Sequence, residues 1–115
     1  MSYCLEVSPE ALESMDDQMR WYETNVRPDG DELAELWRAR LYESLETLSQ
    51  HPERHVLAAE SGRWHSEIVL RCLLFRPWKS GKGWRVLFWI DEAAGRVVVV
   101  EVRHESRPPL VEEVS

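Results

Sequence analysis

The sequence predicts an α+β fold with the element order β-α-α-β-β-β, in which a helical hairpin packs on one face of a mainly antiparallel sheet. Apolar residues recur at helical spacing between residues 9 and 50, whereas residues 67–103 contain three apolar runs of strand length. The connections between these segments are short. At 115 residues, the chain suffices for one domain with a modest core, expected to span residues 1–115.

The N-terminal elements are a short strand at residues 3–7 and a first helix. Ser8 followed by Pro9 marks the helix start, because a serine hydroxyl caps a free backbone N–H and proline fits the first turn. The helix is expected to end near Asn25, before Arg27-Pro28-Asp29-Gly30. Its apolar stripe consists of Leu12, Met15, Met19 and Tyr22.

A second helix is predicted from Asp29 or Asp31 to Gln50-His51-Pro52. Its apolar stripe consists of Leu33, Leu36, Trp37, Leu41, Leu45 and Leu48. Because the connection to the first helix is short, the two helices should form an antiparallel hairpin.

The remaining chain should form the rest of the sheet. After an irregular stretch with a short strand at residues 56–59, we predict strands at residues 67–76, 84–91 and 96–103. Residues 77–82 form a loop, and Ala93-Ala94-Gly95 supplies a tight turn.

Alternation along the strands predicts which residues face the helices. The inward set comprises Ile68, Leu70, Cys72, Leu74, Trp84, Val86, Phe88, Ile90, Val98, Val100 and Val102. Arg71, Arg85 and Arg103 would then share an exposed face. That face would also carry an apolar patch formed by Leu73, Phe75, Leu87, Trp89, Val97 and Val99. Exposed patches of this kind usually mark binding surfaces, so we expect a partner protein, the C-terminal tail or a second copy to cover it.

Charge is distributed unevenly along the chain. The net charge is −7, but residues 1–62 carry 14 acidic and 5 basic side chains, whereas residues 63–109 carry 9 basic and 5 acidic ones. This asymmetry indicates either that the C-terminal half has a surface that faces anions or that its strands simply carry arginine on their solvent-exposed face.

The composition is that of a soluble globular protein, with no apolar run long enough to cross a bilayer and no signal peptide expected. Cys4 and Cys72 lie in apolar runs and are expected to be buried, reduced thiols, which fits a cytoplasmic protein. The spacing of His51, His55 and His65 does not suggest a metal site, and no cofactor is expected.

Two basic segments are candidates for binding phosphate. One is the sequence Arg103-His104-x-x-Arg107 after the last strand. The other is the loop at residues 76–83, in which Lys79 and Lys82 flank glycine and follow a tryptophan, although a solvated hairpin loop would have the same composition.

The sequence resembles the RelE/ParE superfamily of bacterial toxins, the toxic halves of type II toxin–antitoxin pairs. The resemblance begins at Ser8-Pro9-Glu10-Ala11 and Trp21-Tyr22 and continues at Leu48-x-x-His51-Pro52. Its strongest parts are Gly83-Trp84-Arg85-Val86-Leu87-Phe88 and Val102-Arg103-His104-x-x-Arg107.

The resemblance implies a cognate antitoxin that covers the active face and no sequence-specific DNA binding by this chain. RelE-like members cleave mRNA on the ribosome, whereas ParE-like members inhibit DNA gyrase without catalytic residues. In a RelE-like enzyme, Arg85 and Arg103 would stabilise the scissile phosphate, His104 would transfer protons, and Arg71 or Arg107 would hold flanking phosphates. Alternatively, His104 only fixes the turn through a hydrogen bond to the backbone.

Two features favour a ParE-like or unassigned target over the ribosome. Leu110 and Val111 stand where many RelE-like enzymes carry a tyrosine, and the net charge of −7 weakens attraction to RNA. A third reading is a non-toxic member of the family that only binds an antitoxin.

Overall fold

The computed structural model describes residues 2–107 and contains two helices and a four-stranded sheet. Strand β1 is Cys4–Val7, helix α1 is Pro9–Asn25 and helix α2 is Gly30–Glu46. Short 3₁₀ turns at Thr47–Ser49 and Pro52–Arg54 follow α2. The remaining strands are β2 (Arg71–Phe75), β3 (Trp84–Asp91) and β4 (Arg96–His104). The predicted fold class and element order are confirmed.

The strands lie in the order β1-β4-β3-β2. β1 is parallel to β4, whereas β3 pairs antiparallel with both β4 and β2. The N-terminal strand therefore pairs with the last strand, and β4 lies inside the sheet.

Local signals set the two helices. The Ser8 side-chain oxygen accepts a hydrogen bond from the Ala11 N–H at 3.1 Å and caps α1 as expected. α2 starts at Gly30, where the two helices approach so closely that a Cβ atom would overlap the carbonyl group of Tyr22. Glycine at this position permits the tight packing of the hairpin.

The main core lies between the helical hairpin and one face of the sheet. Trp37, which is fully buried in α2, makes edge-on ring contacts with Phe75 and Trp84 at centroid distances of 6.0 and 5.6 Å. The other buried apolar members of this core are Ala11, Met15, Tyr22, Ala34, Leu41, Leu45, Leu48, Val86, Phe88, Val97, Val99 and Val102.

Residues 56–70, which we call the cover segment, lie over the opposite face of the sheet. The Ala58 N–H donates to the Leu70 carbonyl at 2.8 Å, and the Cys72 N–H donates to the Val56 carbonyl at 2.9 Å. Ala58 and Leu70 bury Leu87 in a second apolar cluster with Val98 and Val100. The face that was expected to need a cover therefore has residues 56–70 of the same chain packed on it.

The predicted strands around the cover segment are shorter than expected. The short strand at residues 56–59 is reduced to one bridge between Leu57 and Arg71, and β2 begins at Arg71 rather than at residue 67. The segment before it follows the sheet surface in turns and does not extend the ladder.

The predicted strand faces are correct for β3 and wrong for β2 and for most of β4. Trp84, Val86 and Phe88 meet the helices as expected. In contrast, Leu73, Phe75, Val97 and Val99 also face the helices, and Leu70, Cys72, Val98 and Val100 belong to the other side. Because both faces of the sheet are covered, both sets of side chains are apolar, and alternation alone does not assign them.

A β-bulge in β4 contributes to this error. Leu87 pairs with Glu101 but Phe88 pairs with Val99, so Val100 is one extra residue on β4. The bulge reverses the inward and outward assignment between Val99 and Val102, which therefore both face the helices although their numbers differ in parity.

Two further observations concern the thiols and the helices. Both cysteines are free, but Cys4 is exposed rather than buried, because it lies on edge strand β1. Within residues 2–107, neither helix has the length and hydropathy required to span a membrane.

Candidate functional site

Arg85, the predicted catalytic arginine of β3, forms an ion pair with Glu60 of the cover segment. Its two terminal nitrogens lie 2.8 and 2.5 Å from the two carboxylate oxygens of Glu60. The Glu60 side chain is fully buried, and the Arg85 side chain is 19% exposed. The hydrogen bonds that Arg85 donates to the Glu60 carboxylate raise the pKa of Arg85. The donors that would contact a phosphate are therefore already used by a carboxylate.

The ion pair has a half-buried thiol, that of Cys72, beside it. Burial raises the pKa of Cys72, and the neighbouring Arg85 opposes this shift only in part. The thiol is consequently protonated near neutral pH, and it packs against the apolar cluster under the cover segment.

Arg103 lies directly opposite Arg85 in the ladder between β3 and β4, so the two side chains share a face as predicted. That face is not open, because the Arg103 side chain is only 12% exposed. The Arg103 Nη1 lies 3.8 Å from Glu101 Oε2, and Glu101 also accepts hydrogen bonds from the Ser14 hydroxyl and the Val102 N–H. Arg103 thus lies beside Glu101, the carboxylate that links β4 to Ser14 of α1.

The prediction that Arg71 shares the face of Arg85 is wrong. Arg71 lies directly opposite Phe88 and therefore on the helix side of the sheet. Its guanidinium group donates to the carbonyls of Glu53 and His55 at 3.1 and 2.7 Å. Arg71 thereby fixes the turn that leads into the cover segment, and it is separated from the other two arginines by the sheet.

His104 lies on the helix side of the sheet, directly opposite Trp84. Its ring meets Trp84 edge-on at a centroid distance of 5.1 Å. Its Nδ1 accepts a hydrogen bond from the Ser106 N–H at 3.2 Å, and the Ser106 hydroxyl lies 2.7 Å from the same nitrogen. The arrangement resembles the alternative role of fixing the turn, although the histidine accepts a hydrogen bond from the backbone instead of donating one.

An aromatic groove of about 540 Å³ lies between the second half of α1, the loop at residues 76–83 and the end of β4. Lys82 and His104, two of the predicted site residues, both line it, and Arg107 lines a smaller adjoining cavity of about 150 Å³. Lys79 lies in the same loop and is exposed, but it does not line the groove. The principal groove residues are Gln18, Trp21, Tyr22, Trp78, Lys82, Trp84 and His104.

Four of the six side chains predicted to form an exposed antitoxin-binding patch are buried. Phe75, Val97 and Val99 belong to the helix-side core, and Leu87 lies beneath the cover segment. They cannot contact a partner in the folded protein. The other two, Leu73 and Trp89, are half-buried.

No pattern in the sequence points to Glu60, because it lies in an irregular segment and a single glutamate there is normally solvated. Trp21 belongs to the Trp21-Tyr22 pair of the family resemblance. It is 54% exposed, which is unusual for the largest side chain and could have been inferred from its position outside the apolar stripe of α1.

Comparisons with known proteins agree with this fold. A family described as "ParE toxin of type II toxin-antitoxin system, parDE" matches residues 5–109. No curated protein sequence matches the chain.

Two solved structures are similar to the fold. One, from the chromosomal ParDE toxin–antitoxin system of P. aeruginosa, has a TM-score of 0.65 and 15% identity, with 90% of this chain and 96% of that chain covered. The other, from the archaeal RelE–RelB complex of Pyrococcus horikoshii OT3, has a TM-score of 0.50 and 12% identity, with coverages of 94% and 100%.

The family match spans nearly the whole folded region, including the helical hairpin and all four strands. The chain belongs to the ParE toxin family of type II toxin–antitoxin systems.

Proposed function

We propose that this protein arrests growth by binding DNA gyrase and that a cognate antitoxin neutralises it. The observation that carries the proposal is the ion pair between Arg85 and buried Glu60. An RNA-cleaving toxin of the RelE type would need this guanidinium at the scissile phosphate, whereas a toxin that acts by binding does not.

The other residues of the nuclease hypothesis support the same conclusion. Arg103 is largely buried beside Glu101, Arg71 lies on the opposite face, and Nδ1 of His104 accepts a hydrogen bond within its own turn. Cleavage through a 2′-OH requires proton transfer and charge stabilisation around one phosphate. The four residues are distributed over both faces of the sheet and do not surround one open position.

An antitoxin partner is proposed because the family pairs each toxin with one. The structurally similar P. aeruginosa and P. horikoshii proteins come from a ParDE system and a RelE–RelB complex. The surface that this partner covers must differ from the predicted patch, since four of the six patch residues are buried.

The test compares two activities of the purified protein. It should inhibit supercoiling by gyrase and leave ribosome-bound mRNA intact, and its induced expression without the neighbouring gene should stop growth. Cleavage of mRNA with unaffected supercoiling would replace this proposal with a RelE-like endoribonuclease. Absence of both activities, together with antitoxin binding, would identify a non-toxic member of the family.

A paired substitution separates a structural role of Arg85 from a catalytic one. Glu60→Leu/Arg85→Met removes the guanidinium and its buried counter-charge together, so the fold is expected to persist. If the toxin acts by binding, the folded double variant should still arrest growth. Loss of toxicity with retained folding would contradict the proposal.

A further inference from the structure

The aromatic groove has rigid walls. The Trp78 Nε1–H donates to the Tyr22 hydroxyl at 2.9 Å, and the Trp84 Nε1–H donates to Gln18 Oε1 at 3.3 Å. Edge-on contacts place the Tyr22 ring 5.5 Å from Trp21 and 6.1 Å from Trp78. Both of these indole N–H groups have hydrogen-bond partners within the wall, so the wall presents fixed apolar ring surfaces. Because the side chains are already held in place, binding a ligand should cost them little conformational entropy.

The loop that forms one side of the groove is also fixed. The Arg40 guanidinium of α2 lies 5.4 Å from the centre of the Trp78 ring and donates to the Pro77 carbonyl. At the other end of the loop, Glu105 accepts the Gly83 N–H, and this hydrogen bond lowers the pKa of Glu105. The groove is therefore held on both sides by contacts to α2 and to the C-terminal turn.

The groove is locally cationic in an acidic protein. Lys82 lines it, and no carboxylate among residues 2–107 does so. Asp17, in the adjoining cavity beside Arg107, forms an ion pair with Arg20 at 3.1 Å. A ligand in the groove would thus meet aromatic surface beside the ammonium group of Lys82, although the chain as a whole carries −7.

We propose that this groove binds an extended segment of a partner protein, in which an aromatic or large aliphatic side chain stands beside a carboxylate. The apolar side chain would pack against Trp21, and the carboxylate would approach Lys82. The volume of about 540 Å³ accommodates one such anchor with its neighbours. The proposal concerns binding only and stands whether or not gyrase is the target.

A peptide fits these observations better than a nucleic acid. Binding of single-stranded nucleic acid relies on a row of cations along the backbone, whereas Lys82 is the one lysine or arginine among residues 2–107 that lines this groove. The outer surface of α1 exposes Glu13 and Asp16, which repel a polyanion.

The experiment selects ligands from a displayed library of random decapeptides on the full-length protein, followed by fluorescence anisotropy with labelled copies of the enriched peptides. The enriched sequences should share an apolar residue within two positions of Asp or Glu. Trp21→Ala should weaken binding about tenfold or more, and Lys82→Glu should weaken it severalfold. Both residues are exposed, so thermal unfolding of the two variants should match that of the parent.

Matched controls exist on the same two elements. Leu12 is 42% exposed on α1, and Lys79 is exposed in the loop, and neither lines the groove. Leu12→Ala and Lys79→Glu should therefore leave peptide affinity within about twofold of the parent.

Several results would overturn the proposal. These are the absence of an enriched motif, a motif without carboxylates, and an affinity loss in the groove variants no larger than in the controls. Binding of a labelled ten-nucleotide oligothymidine in place of the peptides would assign the groove to nucleic acid. Self-association that Trp21→Ala abolishes would assign it to a second copy of the chain.

Discussion

Breaking the ion pair between Arg85 and Glu60 should be among the most destabilising changes available in this protein. Glu60 is fully buried and Arg85 is 19% exposed, so removal of either partner leaves a charge in a poorly solvated site. A loss of about 3–5 kcal/mol is typical when one member of a buried pair is removed. We expect Arg85→Ala to reach the upper part of this range, because it leaves the fully buried carboxylate.

The expected loss is large relative to the whole stability of the domain. Domains of this size unfold with roughly 5–15 kcal/mol, and each kcal/mol lowers Tm by about 4 °C. Glu60→Gln and Arg85→Ala should therefore lower Tm by about 12–20 °C. Denaturant unfolding followed by tryptophan fluorescence, together with calorimetry, measures both quantities.

The exposed pair between Arg20 and Asp17 supplies a control, because its side chains are 69% and 65% exposed. Asp17→Asn should cost less than about 1 kcal/mol. Glu60→Leu/Arg85→Met should recover most of the loss, since a buried ion pair can be replaced by apolar groups of similar volume. A loss of less than about 1 kcal/mol in the free energy of unfolding of Glu60→Gln would refute the reasoning. So would a loss in the double variant that equals the sum of the losses in Glu60→Leu and Arg85→Met alone.

Three other predictions test the covered sheet and its titratable groups. Leu87→Ala should lower the free energy of unfolding in urea by about 2–5 kcal/mol, because Leu87 is fully buried. Leu74 on the neighbouring strand is 48% exposed, so Leu74→Ala should lower it by about 0.5 kcal/mol or less. Equal losses in the two variants would mean that the cover segment is not in place. Burial lowers the pKa of His55, so as the pH falls below about 6.5 the unfolded chain takes up a proton at this histidine more readily than the folded chain does. The free energy of unfolding should therefore fall between pH 7.5 and pH 5.5. His55→Phe should reduce this pH dependence, and an unchanged pH dependence would contradict the prediction. Exposed Cys4 should react with Ellman's reagent faster than Cys72, because Cys72 is half-buried and burial raises the pKa of its thiol. Cys4→Ser should therefore abolish the fast phase of the reaction. A fast phase that persists in this variant would show that Cys72 is accessible.

The parts of the fold that depend on local signals could be predicted from the sequence. Ser8 and Pro9 mark the start of α1, and the helical stripes define both helices. β3 was oriented correctly because one of its two sets of side chains, from Trp84 to Ile90, is entirely apolar while the other contains Arg85.

The orientation of β2 and β4 depends on tertiary contacts that the sequence does not display. The cover segment gives the second face of the sheet its own apolar core. Residues Val97 to Val100 are apolar on both faces, so the alternation of side chains does not indicate which of them face the helices. The bulge at Val100 then shifts the assignment within one strand. The same cause limited prediction of the site. Arg85 and Arg103 were correctly placed opposite each other on β3 and β4, but the partner of Arg85, Glu60, lies in a segment without regular structure.

The position of β4 has a consequence for how the toxin is made. Among residues 2–107, β1 (residues 4–7) takes its place in the sheet beside β4 (residues 96–104), which lies far away along the chain. The N-terminal strand must therefore wait for Arg96 and the residues after it before it can join the sheet, and this long-range closure slows folding. A chain that stops at Gly95 lacks the strand that joins β1 and α1 to β3, so it should not complete the sheet.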